Sequence, residues 1–126
     1  MSLFENLSED LLAAAFEFVG TTLFLLLGLG GIQATSAEID GSVATTSNLD
    51  KVFSIASSMG FSLLVTVWIF YRITGAVFNP NVSLALLLVG AMPPVRFLLY
   101  SVAQFIGGIA ASAIVEGLTP GPLVSK

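Results

Sequence analysis

The hydrophobic pattern of the chain consists of three long apolar runs separated by polar segments. The runs cover residues 11–32, 52–73 and 95–115, and each holds 21 or 22 residues with almost no charge. A helix of about 20 apolar residues is long enough to cross a hydrocarbon core of about 30 Å. The pattern therefore predicts three transmembrane helices.

The segment between the first two runs, residues 34–50, is rich in Ser, Thr and Asp and has no period, which predicts an extramembrane loop. Small residues at 34–37 raise the alternative that the first run is a secretory signal peptide. However, Glu5, Glu9 and Asp10 stand where a signal peptide carries basic residues, and the apolar run is too long. A spanning helix is the favoured interpretation.

A fourth apolar segment, residues 79–89, is too short to cross a membrane. As a helix it would measure about 16 Å, roughly half the hydrocarbon core. Because it is apolar on all sides, it is also unsuited to water. The sequence therefore predicts a re-entrant half-helix that enters the membrane, is covered by its neighbours and returns. The expected fold is an all-α membrane protein with three transmembrane helices and one re-entrant half-helix, residues 1–126 forming a single unit.

The half-helix begins with the polar triplet Asn79-Pro80-Asn81. Pro80 suits the first helical position, and Asn79 suits the N-cap, because its side-chain oxygen can accept from amides of the first turn. In a soluble protein a capped helix start would be a sufficient explanation. Near the middle of a membrane, an unpaired amide must instead face a partner or a water-filled path, and the positive helix end disfavours cations. The triplet is therefore a candidate selectivity site for neutral solutes.

Composition agrees with a membrane protein and excludes several classes of chemistry. Apolar residues make up 56% of the chain and charged residues 10%, with a mean hydropathy of +0.98. The chain has no Cys and no His, so it lacks thiolate nucleophiles, imidazole catalysis and the commonest zinc ligands. No basic, aromatic-rich stretch indicates nucleic acid. We expect no enzyme activity, no cofactor or metal site and no nucleic-acid partner.

The few basic residues indicate the orientation. Arg72 and Arg96 flank the half-helix, whereas the loop at 34–50 is acidic. The positive-inside rule therefore predicts that residues 72–96 and the N-terminus lie in the cytoplasm. The sequence does not distinguish between the plasma membrane and the vacuolar membrane as the location of the protein.

Three stretches, and the loop after the last of them, resemble signatures of the major intrinsic proteins, the aquaporin family. "TGAVFNPNVSLAL" resembles the first Asn-Pro-Ala box, with Asn in place of the box alanine. "AAAFEFVGTTLFLLLGLG" from Ala13 resembles the first helix, including a Glu-Phe-x-Gly-Thr signature, and "VAQFIGGIAASAI" from Val102 resembles the third. "GLTPGPL" at 117–123 is similar to the following loop of fungal members. The signatures occur in family order over nearly the whole chain.

The resemblance implies the N-terminal half of an aquaporin, one of two inverted repeats that each contain three spans and a half-helix. Such a channel passes water or small uncharged solutes such as glycerol, and its pore forms where the two half-helices meet. The implied partners are the lipid bilayer, the missing C-terminal half and further subunits of a homotetramer. The alternatives are a truncated, non-conducting membrane module that only packs with other subunits, and half of an inverted-repeat secondary transporter.

The resemblance also implies pore or selectivity positions, namely Asn79, Pro80, Asn81, Met59 and Val77. Asn81 replaces the box alanine, so either the two boxes lie further apart, or Asn81 has a new partner, or the variant is tolerated. Val77 stands where many members have a histidine. Met59 aligns with a filter position that is often Phe or Trp, and its flexible thioether would narrow a path less rigidly. An ordinary helix or lipid contact is an equal alternative for Met59.

Three further residues are implied as structural support of the re-entrant loop: Glu17, Gly75 and Gln104. Glu17 resembles the first-helix glutamate that accepts backbone amides of this loop. A proton-relay role is the alternative, since ionisable residues inside membranes are often functional. The predicted spans offer no second carboxylate and no histidine to receive the proton, which favours the structural role.

Overall fold

The computed structural model describes residues 6–41, 47–119, 121 and 123. In this part of the chain the regular elements are four α-helices: α1 (Leu7–Gly41), α2 (Asn48–Thr74), α3 (Pro80–Leu88) and α4 (Pro94–Leu118). By length and composition α1, α2 and α4 could each cross a membrane, whereas α3 has only nine residues. The predicted all-α fold with three spans and one short helix is confirmed.

The first polar segment differs from the prediction. Of the expected loop at 34–50, residues 34–41 continue α1 and the last three residues open α2, while residues 42–46 lie outside the described residues. The hydroxyl of Thr35 donates to the carbonyl of Gly31 at 2.8 Å. Ser and Thr hydroxyls on a helix can hydrogen-bond to the backbone carbonyl of the preceding turn in this way. An abundance of Ser and Thr therefore does not by itself end the helix.

Local signals set both ends of α2. Ser47 is the N-cap, and it exchanges hydrogen bonds with Asp50 in a capping box. At the other end Gly75 is the C-cap with φ +88°, a left-handed conformation that glycine adopts without strain, and its N–H donates to the carbonyl of Tyr71 at 3.0 Å. The chain thereby leaves α2 four residues before the polar triplet.

α1 lies between α2 and α4, and α3 packs against α4. Small residues allow the close approach of these helices. A Cβ on Gly107 of α4 would lie 3.0 Å from the carbonyl oxygen of Phe18, and a Cβ on Gly28 would collide with the sulfur of Met59 on α2. Glycines thus let the α4 backbone approach α1 closely on one side and make room for the Met59 side chain of α2 on the other.

Large apolar side chains cover much of the outer surface. On α2, Phe53, Phe61 and Trp68 are 75%, 67% and 78% exposed. Apolar exposure on this scale requires lipid or further membrane helices as the surroundings. The exposed surface is thus consistent with a membrane-embedded helical bundle.

Candidate functional site

The segment between α2 and α3 has an unusual backbone. After Gly75, both Ala76 and Phe78 have a φ of +51°. A non-glycine residue in this region costs on the order of 1–3 kcal/mol and persists only where its surroundings hold it. The hydrogen bonds around this segment explain what holds it.

Glu17 on α1 accepts two backbone amides of the segment. Its Oε1 accepts from the N–H of Val77 at 3.1 Å, and its Oε2 accepts from the N–H of Phe78 at 2.8 Å. The Glu17 side chain is completely buried. A carboxylate in such a place is tolerable because several donors surround it. These contacts are the ones that the family resemblance implied for Glu17.

Thr74 and Tyr100 belong to the same network, and sequence reasoning missed both. The Thr74 hydroxyl donates to Oε1 of Glu17 and accepts from the N–H of Ala76 at 3.1 Å. The hydroxyl of Tyr100 on α4 donates to the carbonyl of Thr74 at 3.0 Å, and Tyr100 is 1% exposed. A tyrosine inside a membrane helix needs a polar partner, which is the signal that could have identified Tyr100.

Gln104 connects the carboxylate to the half-helix. Its Nε2 donates to Oε2 of Glu17 at 3.0 Å and lies 3.1 Å from the hydroxyl of Ser83, which in turn lies 3.2 Å from Oε1 of Gln104. Gln104 and Ser83 are both buried. One network of buried polar groups thus joins α1, α3, α4 and the segment after α2.

The triplet adopts the predicted helix start. Asn79 is the N-cap of α3, its Oδ1 accepts from the N–H of Asn81 at 2.9 Å, and Pro80 is the first helical residue. The side chains of Asn79 and Asn81 are exposed. Among the described residues, the amide nitrogen of Asn79 has no hydrogen-bond partner, so its N–H groups are available to a group outside this bundle.

The two remaining predicted selectivity residues lie in different places: Val77 belongs to the segment that leads into the triplet, and Met59 lies near the middle of α2. Val77 packs against the buried cluster of Ala14, Met92 and Tyr100. The sulfur of Met59 lies against Gly28 in the interface of α1 and α2. Met59 precedes Thr74 by fifteen residues, which corresponds to roughly 22 Å along α2.

An open groove begins beside the triplet. It has a volume of about 660 Å³ and lies between α1 and α4. Its lining includes Phe78, Pro80, Gln104 and Glu116. Thr21 also lines it, and the Thr21 hydroxyl is buried with no hydrogen-bond partner among the described residues. The groove is therefore a place where the packing of the bundle is incomplete.

Residues 6–126 match the family model described as Major intrinsic protein. The chain is 55% identical over 123 residues to Aquaporin-1 of Laccaria bicolor, covering 97% of this chain and 40% of that protein. It is 46% identical over 118 residues to Aquaporin-7 of Botryotinia fuckeliana, covering 90% of this chain and 26% of that protein. The chain thus spans two fifths or less of the length of these relatives.

Proposed function

Because the chain belongs to the major intrinsic protein family and is an integral membrane protein, we propose that it forms the N-terminal half of a channel. The proposed channel passes water or small uncharged solutes such as glycerol down their gradient, without covalent chemistry. In this proposal residues 1–126 are a single repeat, and the N-terminus lies in the cytoplasm.

The observation that carries the proposal is the start of α3. Asn79 is held by its own cap bond, yet its side chain is exposed and its amide donors have no partner among the described residues. The N-terminus of a helix carries roughly half a positive charge, which favours dipolar solutes and opposes cations. A fixed amide donor at such an end can bind the oxygen of a passing water or alcohol.

The groove beside the triplet supports a second half as partner. Phe78 and Pro80 line this open groove between α1 and α4. The relatives have much additional length beyond the matched part, since only 40% of Laccaria bicolor Aquaporin-1 is covered. We propose that a C-terminal half completes the pore here, that lipid covers the outer surface, and that complete channels form homotetramers.

The other predicted positions enter the proposal with separate roles. Met59 would contribute to a filter about 22 Å from the end of α2, estimated from the helical rise. Asn81 would face the second half, since its side chain is exposed and its backbone N–H already bonds to Asn79. Val77 would shape the path near the triplet. Glu17, Gly75 and Gln104 would keep the segment in the conformation that presents Asn79.

A chimera tests the proposal. This chain replaces the matching part of Laccaria bicolor Aquaporin-1, and the chimera and the unmodified relative are reconstituted in liposomes. Stopped-flow light scattering then gives the osmotic water permeability and the glycerol permeability per protein. We expect the chimera to raise permeability well above empty liposomes. A chimera that folds yet stays at background, while the relative conducts, would contradict the channel and favour a non-conducting module.

Asn79→Ala in the chimera tests the site itself. The variant loses the cap, worth about 1 kcal/mol, and also the exposed amide donor. We expect lower permeability per folded protein, whereas Asn6→Ala, at an exposed residue before α1, should leave permeability unchanged. Equal permeability of Asn79→Ala and the parent at equal membrane abundance would remove Asn79 from the site.

A further inference from the structure

Thr74, the last residue of α2, makes three hydrogen bonds that join three parts of the structure. Its hydroxyl donates to Oε1 of Glu17 and accepts from the N–H of Ala76 at 3.1 Å. Its carbonyl accepts from the hydroxyl of Tyr100 at 3.0 Å. The last carbonyls of a helix have no partner within the helix, so Tyr100 satisfies a group that would otherwise be unpaired.

The Thr74 hydroxyl holds the backbone at Ala76 in its strained conformation. Ala76 has a φ of +51°, and its N–H is held by this hydroxyl alone among the described residues. The hydroxyl also fixes the Oε1 of Glu17 that accepts from Val77. Loss of the hydroxyl would therefore release Ala76 and allow the carboxylate to turn, while the helices on either side keep their packing.

Tyr100 acts from α4. It lies one helical turn before Gln104, so both side chains are on the same face of the helix. Tyr100 holds the beginning of the segment through Thr74, and Gln104 holds its later part through Glu17 and the half-helix through Ser83. Through these two residues α4 fixes the position of the start of the segment relative to the half-helix α3.

We infer that Thr74 and Tyr100 are positioning residues that determine where the Asn79 amide lies in the proposed pore. The inference rests on the proposed function of Asn79. Neither residue needs to touch a solute, because both act through the backbone of residues 75–78. Their loss should therefore change the discrimination between water and glycerol, and should not simply reduce the amount of folded protein.

Transport by the chimera provides the first test, with Thr74→Ser, Thr74→Val and Tyr100→Phe compared. Thr74→Ser keeps the hydroxyl and should retain the parent's ratio of water to glycerol permeability. Tyr100→Phe removes one hydrogen bond and should change this ratio about fivefold at equal folded protein, the factor that one ordinary hydrogen bond is worth. Thr74→Val removes two and should change the ratio more. Tyr71→Phe, at an exposed tyrosine of α2, is the matched control and should leave the ratio unchanged.

Spin labelling of the 126-residue chain in lipid vesicles gives a second measurement that does not depend on transport. The chain has no native cysteine, so Asn81→Cys carries a single label beside the triplet, and Trp68→Cys carries a control label on exposed α2. Thr74→Val and Tyr100→Phe should increase the mobility of the label at 81 and leave the label at 68 unchanged. Thr74→Ser should leave both labels as in the parent.

The outcomes separate the two proposals. An unchanged permeability ratio together with an unchanged spectrum at 81 would overturn the positioning role. So would equal loosening at both labels, because that result indicates general destabilisation. If the chimera does not conduct but the label at 81 alone becomes mobile, the positioning of this segment stands and the proposed function fails.

Discussion

The phenyl ring of Phe78 packs against Gly20 of α1 and occupies the space that a side chain at position 20 would need. A Cβ there would lie 3.2 Å from Cδ1 of the ring and closer still to Cε1 and Cζ. The ring also stacks with Phe24 at a centroid distance of 6.5 Å and meets Phe70 edge-on at 5.8 Å. Since Phe78 immediately precedes Asn79, this aromatic packing anchors the residue from which the half-helix begins.

Gly20→Ala should therefore displace the ring of Phe78. We expect a loss of about 1–3 kcal/mol in the free energy of unfolding, as for other overpacked cores, and lower permeability of the chimera. Gly30→Ala is the matched control, because a Cβ at Gly30 of the same helix would meet nothing within 4 Å. The control should be neutral, or stabilising by up to about 1 kcal/mol through helix propensity. Equal effects of the two variants would show that the contact with Phe78 is unimportant.

Variants of Glu17 test the network from its centre. Glu17→Gln keeps one acceptor oxygen, whereas Glu17→Leu leaves the N–H groups of Val77 and Phe78 unpaired at about 1–3 kcal/mol each. Glu17→Leu should therefore lower thermal stability in detergent and chimera permeability more than Glu17→Gln. The reverse order would contradict the assignment of Glu17 as an acceptor for the segment.

The proton-relay alternative for Glu17 makes a different prediction. If Glu17 carried protons, permeability of the chimera would depend on pH, and Glu17→Gln would abolish this dependence. We expect instead that the pH profiles of the parent and of Glu17→Gln have the same shape. Proton flux measured with a pH-sensitive dye inside the liposomes provides the parallel readout.

An ion pair joins the beginnings of α1 and α4. The guanidinium of Arg96 contacts Oδ1 of Asp10 through Nη2 at 2.6 Å and through Nε at 2.7 Å. Asp10 is buried, whereas about a third of the Arg96 side chain is exposed. Arg96→Gln leaves a buried carboxylate without its charge partner. We expect a loss of about 1–3 kcal/mol in unfolding free energy, less than for a fully buried pair because solvent screens the arginine.

Arg72→Gln is the control for this ion pair, since Arg72 is exposed in the last turn of α2 and has no ion-pair partner among the described residues. Its unfolding free energy should stay within about 0.5 kcal/mol of the parent. A double-mutant cycle with Asp10→Asn isolates the interaction of Asp10 with Arg96. An interaction energy near zero would show that the pair contributes nothing to stability.

The features that sequence predicted are those with local causes. Run length separated three spans from one half-helix, and the first-turn chemistry of Asn79 and Pro80 predicted the cap of α3. The hydrogen bonds made by Thr74 and Tyr100 depend on how α2 and α4 are rotated relative to each other, and no local sequence pattern encodes this rotation. The polar stretch after residue 33 was misassigned because Ser and Thr are compatible with both a loop and a helix.

The last prediction is that the 126-residue chain does not conduct by itself. α3 has nine residues and reaches about 14 Å, roughly half of a hydrocarbon core. The remaining path would be lipid or unpaired backbone, and each exposed backbone donor costs several kcal/mol in hydrocarbon. Two copies could complete a pore only in opposite orientations, which the arginines on either side of the half-helix oppose.

Liposomes that contain only this chain should therefore show the osmotic permeability of empty liposomes. Permeability should appear when the remaining part of Laccaria bicolor Aquaporin-1 is reconstituted together with the chain as a separate polypeptide. The Asn79→Ala chain, added in the same way, should recover less than the parent. If the chain alone shrank liposomes several-fold faster than empty ones, in proportion to the protein loaded, one half-helix per copy would suffice, and an antiparallel homodimer would be the conducting form.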